Sequence, residues 1–361
     1  MTAMTPVAYR DVAQAAPHRL LMVGNFLNAS VKTRTASEEL ADHLSARGVG
    51  VLTTSSRTNR VARLADMVWT VWKRRHEYSV AQVAVFSGPA FIWAEVVCAA
   101  LRLIGKPYVL TLHGGNLPQF ARTSGKRVAK LLQSAAAVTA PSRYLQEQLE
   151  GYRPGIRLVP NSLDIVNYPY RHRTQARPKL VWLRAFHKIY NPSMAVEVVE
   201  RLARRFPELE LVMVGREKDG SLAVAQQLVR DKGLDRQITF TGGISKEEVP
   251  AVLASADIFL NTASTDNTPV SVLEAMACGL CVVSTDAGGL PYLLDNGVDA
   301  LVSPVENPDR MAEAVERLLT DPGLAGRLSE AGRRKVEPFD SSAVADGWTS
   351  LLVAVAGGKR L

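Results

Sequence analysis

The run Asp266-Asn267-Thr268-Pro269-Val270-Ser271-Val272-Leu273-Glu274, closed by Gly279, carries residue types that could do chemistry. It reads as a loop feeding a short helix. Thr268 is placed to cap it, Pro269 is preset for the first helical position, and Gly279 ends it. The first-turn N–H groups between Pro269 and Val272 have no partner within the helix, so they form an anion site suited to a diphosphate. Asp266 stands on the loop and Glu274 on the second turn. A carboxylate can take two sugar hydroxyls at once, through bonds about twice as strong as neutral ones. Arg184 and Lys188, in Trp182-Leu183-Arg184-Ala185-Phe186-His187-Lys188, add a rigid fork and a point charge. Both are usual ways of holding a diphosphate and stabilising it as it leaves.

Residues this far apart in the chain need a scaffold to meet, and the hydrophobic pattern supplies one. Short β-branched runs alternate with amphipathic stretches, which implies parallel sheets covered on both faces. Strands are expected at Arg19 to Val23, Gly50 to Thr54, Gln82 to Phe86, Tyr108 to Leu112, Ala136 to Ala140 and Arg157 to Val159. A second series follows the Pro- and Arg-rich segment Pro169 to Pro178, at Leu180 to Arg184, Leu209 to Val214, Ile238 to Phe240, Ile258 to Asn261, Cys281 to Thr285 and Ala300 to Val302. Thr35 and Glu38 have capping-box spacing ahead of the first helix. The expected organisation is an α/β chain of two Rossmann-like doubly wound domains, 18–165 and 166–340, joined near residue 165. Ligands would bind in the cleft, beyond the carboxyl ends of the strands. Residues 1–17 read as a flexible arm. Residues 341–361 read as a helix and loose polar tail able to pack back on the N-terminal domain, with Trp348, Leu351 and Leu352 buried.

The 361 residues are 47% hydrophobic and 22% charged, which suits two packed cores rather than disorder. Every apolar run is broken by charge before it reaches the length of a membrane span, and the start lacks an export signal, so a cytoplasmic protein is expected. Cys278 and Cys281 form a Cys-x-x-Cys with no second pair to complete a zinc shell. The net charge of +8 gathers at Arg57, Arg60 and Arg63, at Lys73 to Arg75, at Lys126 and Arg127, and at Arg171 to Arg173. Leu64, Met67, Val68, Val71 and Trp72 make an apolar stripe ahead of Lys73-Arg74-Arg75 that could dock on anionic lipid. No nucleic-acid-binding module is present, and none is expected as a partner. The first strand ends at Val23-Gly24-Asn25-Phe26 without the glycine fingerprint of a dinucleotide enzyme.

Together these motifs resemble retaining glycosyltransferase family 4, of the two-domain GT-B fold, over about residues 19–340. The Asp266 to Glu274 spacing is similar to that family's paired-acid motif. Ala275-Met276-Ala277-Cys278-Gly279, Gly288-Gly289-Leu290-Pro291, Pro160-Asn161-Ser162-Leu163-Asp164 and Leu112-His113-Gly114-Gly115-Asn116 continue the likeness. The resemblance implies that Glu274 binds the donor ribose, Asp266 reaches the transferred sugar, and Arg184 and Lys188 hold the diphosphate. Backbone around Asn267, Thr268, Pro269 and Val270 completes that site. His113, with Gly114, Asn116 and Asn25, would lie on the acceptor side. Asp266 replaces the usual Glu, Leu183 and Ile189 replace usual glycines, and Tyr292 replaces a usual Glu. His187 and Asn191 are therefore candidates to substitute for Lys188. The implied reaction moves a hexosyl group from a nucleotide sugar, with a UDP-sugar favoured, to a glycan or lipid-linked acceptor. It retains configuration and needs no metal or cofactor. A sugar-nucleotide epimerase or a phosphorylase is the alternative on the same fold.

Overall fold

The computed structural model describes residues 19–26, 35–114, 116–321 and 323–361. The arm expected at 1–17 and Gly115 lie outside the described residues. The chain divides into two units. One runs to Ser162 and takes in Ser341–Leu361; the other is Leu163–Asp340.

In the N-terminal unit six strands form one parallel sheet: β1 (Leu20–Val23), β2 (Val51–Thr54), β3 (Val80–Val85), β4 (Tyr108–Leu112), β5 (Ala137–Ala140) and β6 (Arg157–Leu158). Their order is β2-β1-β3-β4-β5-β6. The direction of winding reverses between β1 and β3, which makes that pair the switch point. The capping box forms as expected, with the Thr35 N–H donating to Glu38 Oε2 at 2.7 Å and the Glu38 N–H to Thr35 Oγ1 at 3.3 Å.

The C-terminal unit has β7 (Lys179–Leu183), β8 (Glu210–Val214), β9 (Ile238–Gly242), β10 (Ile258–Asn261), β11 (Cys281–Thr285) and β12 (Ala300–Ser303), all parallel. The order β12-β11-β10-β7-β8-β9 puts its switch point between β7 and β10. β10 is buried throughout and β7 is buried between its two end residues, as sheets covered on two faces require. Among the described residues, no helix is long and apolar enough to cross a membrane.

The last helix, Ser341–Ala356, buries Val344, Trp348, Leu351, Leu352 and Val355 beside Leu20, Met22 and Leu44 of the N-terminal unit. At about 1.5–3 kcal/mol for each large apolar side chain, this packing outweighs the weak intrinsic stability of an isolated helix. The tail after it is not loose. The Leu361 N–H donates to Ala136 O at 2.7 Å, and Arg153 Nη2 donates to Leu361 O at 2.6 Å. A backbone carbonyl and an arginine side chain hold a segment whose polar composition alone suggests no partner.

Candidate functional site

Arg184 is the first residue beyond β7, and Asp266 lies on the loop after β10, so the switch point of the C-terminal unit sets them side by side. They form an ion pair and both side chains are mostly buried. Arg184 also lies 4.5 Å from the Tyr190 ring centroid. Burial lowers its pKa, while Tyr190 and Glu274 oppose the shift. Its Nε is buried without a hydrogen-bond partner. An unpaired buried donor of this kind costs about 1–3 kcal/mol, so the site is poised to receive an acceptor atom.

The loops that carry this pair are tied together. Trp182 Nε1 donates to Thr262 Oγ1 at 2.9 Å, Thr262 Oγ1 donates to Tyr190 O at 2.7 Å, and the Ser264 N–H donates to Ile189 O at 2.8 Å. From the other side, the Gly289 N–H donates to Asp266 O at 2.9 Å. A Cβ at Gly288 or Gly289 would run into the backbone of Asp266 or Asn267. Those two glycines are what allow the turn after β11 to brace the acidic loop.

Glu274 lies on the helix Val270–Ala277 and is buried. Tyr168 Oη, also buried, donates to Glu274 Oε1 at 2.7 Å. The start of this helix differs from expectation. Pro269, not Thr268, is the N-cap, because the first helical N–H groups, Val272 and Leu273, bond to Pro269 O. Thr268 is thus one residue too early to cap, and no side chain caps the helix. The N–H groups of Val270 and Ser271 have no partner among the described residues, and Ser271 Oγ is buried and unpartnered. The Asn267 N–H donates to Asp266 Oδ1 at 2.8 Å.

Lys188 is not gathered with the others. Its side chain is exposed on a short turn, and its N–H donates to Asp219 Oδ2 at 2.9 Å. Its suggested substitutes have other work. His187 Nδ1 accepts the Ile189 N–H, and Asn191 caps the helix Pro192–Ala203. The cluster Arg171 to Arg173 is also structural. Arg171, Arg173 and Arg177 converge on Asp257, which is fully buried. Burial pushes the Asp257 carboxyl up, but Arg177 and Arg171 outweigh it and hold the group at about 2. Cys278 and Cys281 are buried free thiols, with pKa values pushed up by burial to about 11 and about 12.

In the N-terminal unit His113 directly follows β4. Its N–H donates to Val85 O at 2.8 Å and its ring stacks on Phe86, 5.0 Å between centroids. Nε2 is buried and unpartnered, and burial lowers the imidazole pKa to about 4, so the ring is neutral at pH 7. It shares the wall of a small pocket with Gln82, Thr111, Asn161 and Trp348. Gly114 has φ +82° and is exposed, as is Asn116, which opens the helix Leu117–Ser134 without a side-chain cap. Asn25 is already engaged, accepting from Arg63 Nη1 at 2.9 Å.

The family model of Glycosyl transferases group 1 matches residues 172–335, and that of Glycosyltransferase Family 4 matches residues 33–166. The chain belongs to glycosyltransferase family 4. Among relatives, the GDP-mannose-dependent alpha-(1-6)-phosphatidylinositol monomannoside mannosyltransferase of Mycolicibacterium smegmatis is 29% identical over 78% of this chain and 75% of its own length. The N-acetyl-alpha-D-glucosaminyl L-malate synthase of Bacillus anthracis is 26% identical over 71% of this chain and 71% of its own. The fold of this family 4 glycosyltransferase is GT-B. HepE of Anabaena, solved with UDP and glucose, superposes with a TM-score of 0.72 at 18% identity, over 93% of this chain and all of that one. Sucrose-phosphate synthase of Thermosynechococcus elongatus gives 0.76 at 17%, over 94% and 100%.

Within this family 4 chain the structure therefore brings together Arg184, Asp266 and Glu274, and leaves Lys188 apart. Tyr168, Tyr190 and Ser271 join the site without having been expected there. Ser271 could have been found from the sequence, as the second residue of an uncapped helix start. Nothing local marks Tyr168, which is 106 positions from Glu274.

Proposed function

We propose that the chain transfers a hexosyl group from a nucleoside diphosphate sugar to a glycan or lipid-linked acceptor at the cytoplasmic periphery of a membrane. Anomeric configuration is retained and no divalent metal takes part. The observation that carries this reading is the buried, unpartnered Nε of Arg184, held with Asp266 near Glu274.

In this reading Arg184 donates to the diphosphate, and the free N–H groups of Val270 and Ser271 take a second phosphate oxygen. Lys188 swings its exposed ammonium onto the same charge. Glu274, positioned by Tyr168, accepts from the ribose hydroxyls, and Asp266 accepts from the sugar being moved. The bond from the anomeric carbon to the phosphate oxygen breaks as the acceptor oxygen bonds to that carbon on the same face. The acceptor proton passes to the departing phosphate. His113, neutral at pH 7, serves on the acceptor side as a hydrogen-bonding group rather than a cation.

A UDP-sugar is the donor favoured by the family resemblance, and the mannosyltransferase relative brings GDP-mannose in on equal terms. That relative's name also supports a lipid-linked acceptor. The test is a thermal-shift screen of UDP- and GDP-hexoses against the full chain, followed by nucleotide release with candidate acceptors and NMR of the product anomer in EDTA. A stabilising donor should raise the melting temperature by mass action. Nucleotide release that needs no acceptor would point instead to an epimerase, and an inverted product would refute retention.

A further inference from the structure

The N-terminal unit presents an apolar face that its own core does not use. The crossovers from β2 to β3 and from β3 to β4 both move the same way along the sheet, so their right-handed paths put both helices on one face. These helices, Arg60–Lys73 and Phe91–Leu103, pack against each other and run in the same direction. The first turns Arg63, Met67 and Val71 inward. Met67 and Val71 of the expected docking stripe are thus core, Leu64 and Val68 are half-buried, and Trp72 alone of that set is exposed. The opposite stripe is the free one: Val61, Ala65, Trp69 and Trp72, at i, i+4, i+8 and i+11. The neighbouring helix exposes Ile92, Val96 and Leu103 at i, i+4 and i+11. Trp69 and Trp72 are 55% and 52% exposed and Leu103 is 87% exposed, unusual values for side chains of this size.

We propose that this two-helix face docks on an anionic lipid surface. Cations frame the aromatic rings: Lys73 Nζ lies 5.9 Å from the Trp69 centroid and the Arg75 guanidinium 4.8 Å from that of Trp72. Arg57, Arg60, Arg74 and Arg102 are exposed nearby in sequence. Of the nearby carboxylates, Asp66 is engaged with Thr54 and Glu95 with Arg127, while Glu77 pairs with Arg19 and with Arg74 itself, leaving Arg57, Arg60, Lys73, Arg75 and Arg102 in excess. The charge imbalance belongs to this unit: it holds 22 Lys and Arg against 10 Asp and Glu, whereas the C-terminal unit holds 21 against 25. Tryptophan with basic neighbours suits the boundary between head groups and acyl chains. A second copy of the chain would set Lys73, Arg74 and Arg75 against like charges, which disfavours self-association. The inference deepens the peripheral placement proposed above, but it rests on a surface separate from the donor site.

The test is sedimentation of the full chain with phosphatidylcholine vesicles, with and without phosphatidylglycerol, at low and high salt. Binding is expected only with the anionic lipid, accompanied by quenching of Trp fluorescence by brominated acyl chains. Replacing both Trp69→Ser and Trp72→Ser should lower partitioning at least about tenfold. Lys73→Ala and Arg75→Ala should each lower it about fivefold at low salt and less at high salt. Stabilisation by nucleotide sugars should be unchanged in all of these variants. Absence of anionic-vesicle binding, or binding indifferent to the Trp69 and Trp72 changes, would overturn the proposal. So would a dimer, seen by light scattering, that those changes dissolve. If lipid binding fails while donors still stabilise the chain, the surface is wrong and the transferase reading stands; the converse separates the two the other way.

Discussion

The two sheets finish differently at their carboxyl edges. Beyond β7 and β10 the charged groups are set against partners, Arg184 with Asp266 and Glu274 with Tyr168. The turn at Gly288 and Gly289 braces the Asp266 loop, and Arg184 Nε and Ser271 Oγ stay open. Among the described residues beyond β1, β3 and β4 the groups are sparser. Asn25 is occupied by Arg63, Asn116 caps nothing, and His113 is neutral with Nε2 unpartnered. A charged diphosphate demands preset charge and hydrogen bonds, since these must exist before binding to help the reaction. The described residues of the N-terminal edge show no such arrangement, and this unit carries exposed charge and aromatic surface on its outer helices instead.

The strongest way to break this comparison is to remove what anchors the built side. Asp257→Asn leaves the fully buried Arg173 facing a neutral amide and should destabilise the C-terminal unit by about 3–5 kcal/mol, read from urea unfolding. A loss near zero would mean that the three arginines are held without it.

Next come the site residues. Arg184→Ala should weaken nucleotide binding about tenfold to a hundredfold, the loss of a charge-assisted contact of roughly 1.5–3 kcal/mol. Glu274→Gln should do the same while keeping an acceptor for Tyr168 and hence the melting temperature. Lys188→Ala, at an exposed point charge, should cost less than either. Calorimetric titration with the nucleotide ranks the three, and wild-type turnover in the first two would refute the site.

Tyr168→Phe sharpens the comparison by loosening one built carboxylate without touching substrate. Donor KM should rise by about tenfold or less, with kcat little changed. Equal falls in kcat and kcat/KM would instead put Tyr168 at the reacting centre.

The smallest effect is expected on the sparse side. His113 titrates near 4 when folded, below its ordinary value of 6.5. Between these values the unfolded chain holds a proton that the folded chain does not. His113 therefore contributes stability above about pH 6.5 that is lost as pH falls through about 4. His113→Gln should flatten that slope, measured as the urea midpoint at pH 7 and pH 5.

Much of this was legible in the residues. Eleven of the twelve strands start within one residue of the expected place; for the fully buried β1, β4, β5, β10 and β11 the reason is that a strand buried on both faces must be a near-continuous apolar run. Only β3 starts two residues early, at Val80, where Val80 and Ala81 continue the apolar run. Arg171 to Arg173 misled for the opposite reason. Two arginines flanking a histidine look like a surface patch until Asp257, more than 80 positions away, is brought under the arginines.

Local spacing determined, without any structure, that Asp266 and Glu274 flank one helix start, that Thr35 and Glu38 cap another, and that two parallel sheets must exist. Each of these depends on neighbours within a few turns of chain. Tertiary structure decided which charges are spent and which are free: Arg173 and Asn25 consumed, Arg184 Nε left open, Met67 turned inward and Trp69 outward. Those outcomes depend on which distant residue occupies the few ångströms over which a hydrogen bond or ion pair acts, and only the packing of strands and helices brings distant residues that close.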